Sequence, residues 1–223
     1  PSTFFSMSAQ EQGKGPVGYW GFDEGYGTTA RDESGQGNDG TISGATWVGD
    51  SQCISGKCLY FDGDDDYVLT SLDSINPSTD DFTASVWSKF STSTAEIQLI
   101  SQQDGSGNGR AWIGYNFSAA CGEGRIFNYF DSTCLSSDEA FDINNWIHTT
   151  LVCESATCTL YINGNEDNSG STAIESAGGV LVIGAHKSTT IRNFKGYLDE
   201  VKVYPYARSA SEIKADYNAG LSG

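Results

Sequence analysis

The chain has 223 residues, with 29 acidic and 12 basic side chains and a formal net charge of −17. A chain this acidic repels nucleic acid and anionic membrane surfaces, so we expect neither as a partner. No apolar run approaches the roughly 20 residues that a membrane-spanning helix needs, so we do not expect this domain to insert into a membrane. The 27 glycines and the 12% aromatic content, with only 4 prolines, favour short strands joined by turns.

The predicted strands follow an N-terminal segment that lacks an apolar core. We expect residues 1–15 to form a flexible lead-in and residues 16–223 to form one domain. Short β-rich runs recur through this domain, and several alternate between apolar and polar residues. Because no proline-rich linker separates them, they predict a single all-β sandwich. The runs are 17–22, 58–63, 66–70, 82–90, 97–102, 110–117, 124–130, 146–153, 158–164, 180–184 and 194–204.

The region 146–164 carries two hairpin signals. Cys153 and Cys158 flank a four-residue turn between two β-rich runs, so their side chains should face each other across a hairpin. Asn163-Gly164 is the preferred residue pair for a tight hairpin turn, which predicts a second hairpin directly after the first.

One helix is predicted near the C-terminus. Ser209 followed three residues later by Glu212 is a capping-box pattern, which is typical of a helix N-terminus. Ile213 and Tyr217 would share one face of this helix, and Gly220 would close it.

Six cysteines fall into three close pairs. Their spacing differs from that of zinc sites and redox motifs, and fifteen disulfide connectivities are formally open. We favour the three local disulfides over the alternative of six buried free thiols. Disulfides indicate secretion, so we expect an extracellular or cell-surface location. The favoured pairs are Cys53–Cys58, Cys121–Cys134 and Cys153–Cys158.

Four segments, taken in order, resemble the laminin G-like, concanavalin A-like lectin/glucanase family. They are VGYWGFDEGYGTTARDESGQGNDGT, CLYFDGDDDYV, WIHTTLVCESATCTLYING and FKGYLDEVKVYPYARSASEIKADYNAG. Together they span residues 17–220. The resemblance implies a two-sheet antiparallel jelly-roll β-sandwich with one short C-terminal helix. It says less about function, because one fold hosts many activities.

The resemblance also implies a calcium ion at the edge of the sandwich. Calcium prefers six to eight oxygen ligands, which carboxylates, amide oxygens and backbone carbonyls supply. Asp23, Asp32 and Asn38 offer such oxygens from a glycine-rich loop, and Asp199 would join them from the last strand. The alternative is that the loop residues form turns with their own backbone and that Asp199 is an ordinary strand-end acid.

A second acidic stretch imitates a calcium-binding loop. Asp62, Asp64 and Asp66 have the spacing of the first EF-hand ligands, and Asp73 falls at the position of the last ligand. However, Tyr67 stands where that loop needs glycine, and no helices flank the segment. We therefore expect a turn between two strands here.

The ligand site is predicted around one glycine-rich loop. Lectin sites combine aromatic rings with a few fixed polar groups. Asp104 and Arg110 bound such a loop, Trp112 and Tyr115 follow it, and His186 is a further candidate from a later strand end. The alternative places Trp112 in the core.

Catalysis is not expected. Related sandwich glycosidases place two carboxylates on one strand, one to protonate the leaving oxygen and the other to attack or to activate water, and that pattern is absent from the sequence. The nucleophile elbow G-x-S-x-G is absent too, and His148 lies in an apolar strand where a core role is expected.

We therefore interpret the chain as a non-catalytic, calcium-binding extracellular recognition or adhesion module for a glycan or a surface partner. We also expect it to belong to a larger multidomain or filament-forming protein. The alternatives are a structural or assembly domain with a protein partner, and a glycoside hydrolase or lyase.

Overall fold

Two antiparallel β-sheets and one helix form the structure. The computed structural model describes residues 15–77, 79–91, 96–104, 109–115, 121–130, 133–171, 179–186 and 192–222. The strands are β1 Gly18–Trp20, β2 Thr29–Ala30, β3 Gly40–Ser43, β4 Thr46–Val48, β5 Cys58–Asp62, β6 Tyr67–Thr70, β7 Phe82–Phe90, β8 Ile97–Asp104, β9 Gly109–Tyr115, β10 Ile126–Phe130, β11 Thr133–Ser136, β12 Trp146–Glu154, β13 Thr157–Ile162, β14 Asn165–Ser171, β15 Gly179–Ile183 and β16 Lys195–Tyr204. The helix is α1 Ala210–Gly220, and a 3₁₀ turn covers Asp50–Gln52.

The strands divide into two sheets of eight. The first sheet has the order β14-β13-β12-β7-β16-β5-β4, with β1 also paired to β16, and the second has the order β11-β10-β9-β8-β15-β6-β3-β2. Both sheets combine consecutive strands with neighbours that are distant in sequence, such as β7 beside β16 and β8 beside β15, as in a jelly roll. The predicted all-β, two-sheet jelly-roll sandwich is confirmed. The lead-in expected at residues 1–15 lies, apart from Gly15, outside the described residues.

The core fills the space between the two sheets. Strand residues alternate between this core and the outer faces, so each strand supplies core side chains from every second position. The central strands β7 and β12 are buried on both faces. Both sheets supply large rings that meet in the middle. Trp112 of β9 packs on Phe82 of β7 with ring centroids 4.7 Å apart, and Tyr115 stacks on Phe90 at 4.3 Å.

Strand β16 changes its neighbour halfway along. Its first half pairs with β5 and its second half with β1, while β7 lies on its other side throughout. At the change the register against β7 shifts between Asp199 and Lys202, and Glu200 has a positive φ of 53°. Such a bulge re-aims side chains and is frequent beside functional sites.

Helix α1 is capped as the sequence predicts. The Ser209 hydroxyl accepts a hydrogen bond from the amide of Glu212, whose carboxylate accepts one in return from the Ser209 amide. Ile213 is buried and Tyr217 stacks on Trp87, so the predicted helix face is confirmed.

The role predicted for Gly220 is wrong. The residue does not follow the helix as a left-handed cap, because it is the last helical residue and lies against the indole of Trp87. A Cβ at this position would stand 2.6 Å from Trp87 Nε1, so close packing explains the glycine.

The three predicted disulfides are all present. Cys153 and Cys158 are directly opposite each other in the β12–β13 hairpin, as expected. Cys121–Cys134 is the longest link, and Cys53–Cys58 closes the loop that joins β4 to β5. The Asn163-Gly164 hairpin between β13 and β14 is also confirmed. Among the described helical residues, no segment is both long and apolar enough to cross a membrane.

Candidate functional site

Asp32 organises the glycine-rich loop that follows β1. Its Oδ1 accepts hydrogen bonds from the amides of Tyr19 (3.0 Å) and Ser34 (2.9 Å), and its Oδ2 accepts one from the amide of Asn38 (2.8 Å). Burial opposes ionisation of Asp32, but these hydrogen bonds outweigh it and lower the carboxyl pKa. The Asn38 side chain donates to the carbonyl of Val17. These contacts shape the loop, and a metal-ligand role for Asp32 and Asn38 stays a prediction.

Asp199 is buried at the bulge of β16. Its Oδ2 accepts hydrogen bonds from the amides of Ile54 (3.0 Å) and Ser55 (3.2 Å), while its Oδ1 is buried without a hydrogen-bond partner. Burial, with the nearby charges of Glu200 and Asp23, raises the pKa of Asp199 to about 8, although the two amide bonds act in the opposite direction. A buried carboxylate oxygen without a partner is costly unless a proton or a cation satisfies it.

Asp23 approaches the same loop from the other side. Its Oδ1 accepts a hydrogen bond of 2.7 Å from the amide of Lys57, two residues beyond Ser55. Gly56 makes this approach feasible, because a Cβ there would stand 2.0 Å from Asp23 Oδ1 and its φ is +50°.

Two further acids lie within electrostatic range of this edge. Burial, together with the charges of Asp23, Glu200 and Glu24, raises the pKa of Glu33. Glu200 accepts a hydrogen bond of 2.9 Å from the Tyr19 hydroxyl and pairs with Lys202 at 2.7 Å. The sequence reasoning missed both acids: Glu200 directly follows Asp199 in the chain, whereas Glu33 reaches this edge through its backbone hydrogen bond to Tyr19, which the β1–β16 pairing places there.

The donor chemistry of this edge fits a hard divalent cation. Asp199 provides a buried oxygen that lacks a partner, and Asp23 provides a second carboxylate beside the same loop. Carboxylate oxygens are the ligands that calcium prefers. We refer to Asp23 and Asp199 as the acid pair.

The acidic stretch in CLYFDGDDDYV forms the expected turn between β5 and β6. Carboxylate oxygens of Asp62, Asp65 and Asp66 lie within 4.8 Å of one another. Two of these side chains already hold the turn: Asp66 Oδ2 accepts from the Asp62 amide, and Asp62 Oδ1 accepts from the Asp64 amide. The turn therefore accounts for Asp62 and Asp66.

The aromatic residues of the ligand site predicted around β8 and β9 are buried. Trp112 and Tyr115 are each 1% exposed, so neither ring can stack on a ligand. This corrects the prediction for both residues. The side chains of Asp104 and Arg110 lie outside the described residues, as does the loop 105–108. His186 is half-buried near the end of β15, and its carbonyl accepts a hydrogen bond from Ser101, so its ligand role stays a prediction.

The outer face of the first sheet carries an aromatic row that the sequence reasoning did not find. Tyr60, Tyr197, Lys89 and Trp146 are directly paired neighbours on four adjacent strands, β5, β16, β7 and β12. All four side chains are half-buried. On each of the four strands an adjacent residue belongs to the core: Leu59 and Phe61, Leu198, Phe90 and Ile147. The ring centroids of Tyr60 and Tyr197 are 5.1 Å apart, and those of Tyr197 and Trp146 are 6.4 Å apart. We call these four residues the aromatic row.

Polar groups accompany the aromatic row. Lys89 Nζ lies 5.4 Å from the ring centroid of Tyr197. Gln52 reaches the row from the loop that joins β4 to β5: its Oε1 accepts from the Tyr197 hydroxyl at 2.9 Å, and its carbonyl accepts from Trp146 Nε1 at 3.2 Å. Tyr197 and Trp146 are therefore fixed in orientation, and all three rings are partly open to solvent.

A second row lies beside the first on the same face but is covered. Asp199, Trp87 and His148 are paired neighbours on β16, β7 and β12, and all three are buried. The helix covers Trp87 and His148 through Tyr217, and the loop between β4 and β5 meets Asp199. Burial lowers the pKa of His148 to about 4, and its Nδ1 has no hydrogen-bond partner. The buried position of this histidine agrees with the core role that the sequence predicts.

Solved structures with the same fold come from several carbohydrate-active and toxin proteins. Domain 4 of AbnA, a GH43 extracellular arabinanase from Geobacillus stearothermophilus solved with arabinotriose, is 17% identical with a TM-score of 0.67, covering 90% of this chain and 97% of that domain. The binding domain of Paraclostridial Mosquitocidal Protein 1 is 18% identical (TM-score 0.68), covering 92% of this chain and 52% of that one. Trypanosoma rangeli sialidase is 15% identical (TM-score 0.71), covering 91% of this chain.

These likenesses establish the fold. This chain spans about a third of the sialidase chain, at 32%. Comparison with curated protein sequences finds no match. The family model described as the concanavalin A-like lectin/glucanases superfamily matches residues 62–214, which is more than half of the sequence. The chain therefore belongs to the concanavalin A-like lectin/glucanase superfamily.

Proposed function

We propose that this chain is a non-catalytic module that binds glycans on the outer face of its first sheet. The observation that carries the proposal is the aromatic row, in which three half-buried rings are neighbours at centroid spacings of 5.1 and 6.4 Å, with an angle of 55° between the ring planes of each pair. Aromatic rings combine a large apolar face with a polar edge, which suits the apolar faces and the hydroxyl rims of sugars. Three rings in line favour successive units of a chain over a single terminal sugar.

The polar neighbours of the row supply orientation. Gln52 fixes both Tyr197 and Trp146 by hydrogen bonds, so these rings lose little freedom on binding. Lys89 has three donor protons beside the Tyr197 ring and can donate to sugar hydroxyls.

The absence of catalysis is part of the proposal. Glycoside hydrolysis uses two carboxyl groups that flank the bond, roughly 5–9.5 Å apart. The aromatic row contains no carboxylate. Of the acids two positions away on its strands, Asp199 is buried under the loop that joins β4 to β5, and Asp62 of β5 is a single exposed carboxylate that accepts a hydrogen bond from the Asp64 amide. A sugar stacked on the rings would therefore meet no acid–base pair.

Calcium binding at the acid pair is the second part of the proposal. Asp199 and Asp23 would hold the ion, with Glu33 and Glu200 adding negative charge nearby. The ion would neutralise the buried carboxylate and tie β16 to the loops at the start of the domain. The three disulfides support an extracellular setting, where calcium is abundant and thiols are oxidised.

A glycan array tests the proposed function. We expect wild-type protein to bind one class of polysaccharide or oligosaccharide, and Trp146→Ala and Tyr197→Ala each to weaken that binding by at least tenfold. Tyr67→Ala is the matched control, because Tyr67 is also a half-buried strand tyrosine but belongs to the second sheet. Binding that survives both row variants would refute the site. Self-association without glycan binding would favour the assembly role, and turnover of a polysaccharide would refute the non-catalytic role.

A further inference from the structure

One loop touches both the acid pair and the aromatic row. This loop, residues 49–57, joins β4 to β5, and the disulfide Cys53–Cys58 closes its second half. We call it the 49–57 loop. It begins with the 3₁₀ turn Asp50–Gln52, so that Gln52 is followed directly by the disulfide.

The second half of the loop is held by the acid pair. Asp199 accepts hydrogen bonds from the amides of Ile54 and Ser55, and Asp23 accepts one from the amide of Lys57. Three amides among four consecutive residues therefore depend on two carboxylates. A cation on these carboxylates would change the charge on the acceptors that hold the loop.

The first half of the loop is attached to the aromatic row. Gln52 meets Tyr197 through its side chain and Trp146 through its carbonyl. Between Gln52 and Ile54 lies only Cys53, whose sulfur is fixed to Cys58 at the start of β5. Because a single residue separates Gln52 from Ile54, we expect a shift of the amides at Ile54 and Ser55 to reach the backbone of Gln52.

We propose that the 49–57 loop couples cation binding at the acid pair to the arrangement of the aromatic row, with Gln52 as the positioning residue. The coupling rests on the calcium part of the proposed function, and its consequence for glycan affinity rests on the glycan part. Two loop states are involved: one docked on Asp199 and Tyr197, and one in which both sets of hydrogen bonds are released. A cation that binds the docked state more tightly shifts the population toward it.

Coupling of this kind is reciprocal. If calcium raises glycan affinity by a given factor, the glycan must raise calcium affinity by the same factor, and such factors are typically about 5 to 150. In the docked state Asp199 Oδ1 is buried without a hydrogen-bond partner. The stability of that state therefore depends on a cation to neutralise the carboxylate.

The test uses the full chain, calcium as the only ligand and tyrosine fluorinated at the ring. Fluorine NMR of 3-fluorotyrosine-labelled protein reports each ring, and Tyr197→Phe assigns the Tyr197 resonance. We expect calcium to shift or sharpen this resonance in wild type. In Gln52→Ala the response should be lost while the calcium-induced rise in Tm remains. Ser51→Ala, an exposed change in the same turn, should behave as wild type.

Each other result overturns the inference. A Tyr197 response that persists in Gln52→Ala would mean that the loop does not carry the coupling. A calcium-induced rise in Tm without a Tyr197 response, or no rise in Tm at all, would mean that no coupling exists. Failure of the glycan array is a separate result: it would refute the glycan part of the proposed function and leave a Tyr197 response, and hence the coupling, standing.

Discussion

Asp199 and Ile54, separated by 145 positions in the sequence, are joined by a hydrogen bond of 3.0 Å from the Ile54 amide to Asp199 Oδ2. The other oxygen of this carboxyl group is buried and has no hydrogen-bond partner. The group is therefore best satisfied either by a proton or by a cation.

The pH dependence of stability follows from this arrangement. Burial raises the pKa of Asp199 to about 8, so between the unfolded pKa near 3.9 and pH 8 the folded state binds more protons than the unfolded state. The free energy of unfolding of metal-free protein should therefore fall as the pH rises, by about 1.5 kcal/mol between pH 6.5 and 8. Denaturant unfolding in the presence of a chelator measures it.

Calcium and one variant provide the controls. Calcium should restore the stability lost at pH 8, because it replaces the proton on Asp199. Asp199→Asn should flatten the pH dependence between 6.5 and 8 and remove the response to calcium. A wild-type profile that stays flat in this window without metal would contradict the environment described for Asp199.

His148 imposes the opposite dependence at lower pH. Its ring lies 5.0 Å from that of Trp87 and 6.1 Å from that of Tyr217, and burial lowers its pKa to about 4. Below the unfolded pKa of about 6.5 the unfolded state binds the extra proton, so this contribution to stability is lost as the pH falls. The loss should reach about 2 kcal/mol at pH 5.

The contribution of His148 is isolated by substitution. Protonation of Asp199 stabilises the folded state over the same acidic range, so the wild-type profile alone mixes two effects. The difference in unfolding free energy between wild type and His148→Gln, measured at pH 7 and pH 5 in denaturant, separates them. Equal differences at both pH values would show that His148 is not held neutral beneath the helix.

The contact between Gly220 and Trp87 predicts that adding a single methyl group at position 220 destabilises the protein. A Cβ at Gly220 would stand 2.6 Å from Trp87 Nε1, so Gly220→Ala should lift the end of α1 from the sheet. Overpacking of this kind costs about 1–3 kcal/mol, although alanine is otherwise the better helix former. Thermal unfolding measures the loss, and Asn218→Ala, an exposed change two residues earlier, is the control. A Tm at or above that of wild type would contradict the packing.

Two disulfides of equal span should have different functional effects. Cys53–Cys58 and Cys153–Cys158 each link residues five positions apart, so removing either should cost a similar ~2 kcal/mol by loop entropy. Only the first closes the 49–57 loop. We expect Cys53→Ala/Cys58→Ala to weaken calcium binding and Cys153→Ala/Cys158→Ala to leave it unchanged, as measured by calorimetric titration. Equal calcium affinity in both variants would show that the 49–57 loop does not support calcium binding at the acid pair.

Local signals account for what the sequence predicted correctly. Ser209 and Glu212 are three residues apart, Asn163 and Gly164 are adjacent, and each feature is formed within a single turn. The disulfides were predictable for the same reason, because each pair closes a short segment. Family resemblance added the two-sheet architecture, which no local pattern specifies.

The ligand site depended on long-range pairing that the sequence does not display. Trp112 follows a glycine-rich loop and so resembles a ligand-binding ring, but the order of the strands places it against Phe82 in the core. Conversely, Tyr60 and Tyr197 lie 137 positions apart and become neighbours only because β5 pairs with β16. Their one local signal is alternation with buried neighbours, which marks a solvent-facing side of a strand but not its partners.

A crystal structure of the protein with an oligosaccharide taken from the glycan array would show where the sugar binds. We expect sugar rings stacked over Tyr197 and Trp146, with hydroxyls in contact with Lys89 or Gln52. A sugar bound elsewhere, for example beside the loop between β8 and β9, with the aromatic row left bare, would contradict it.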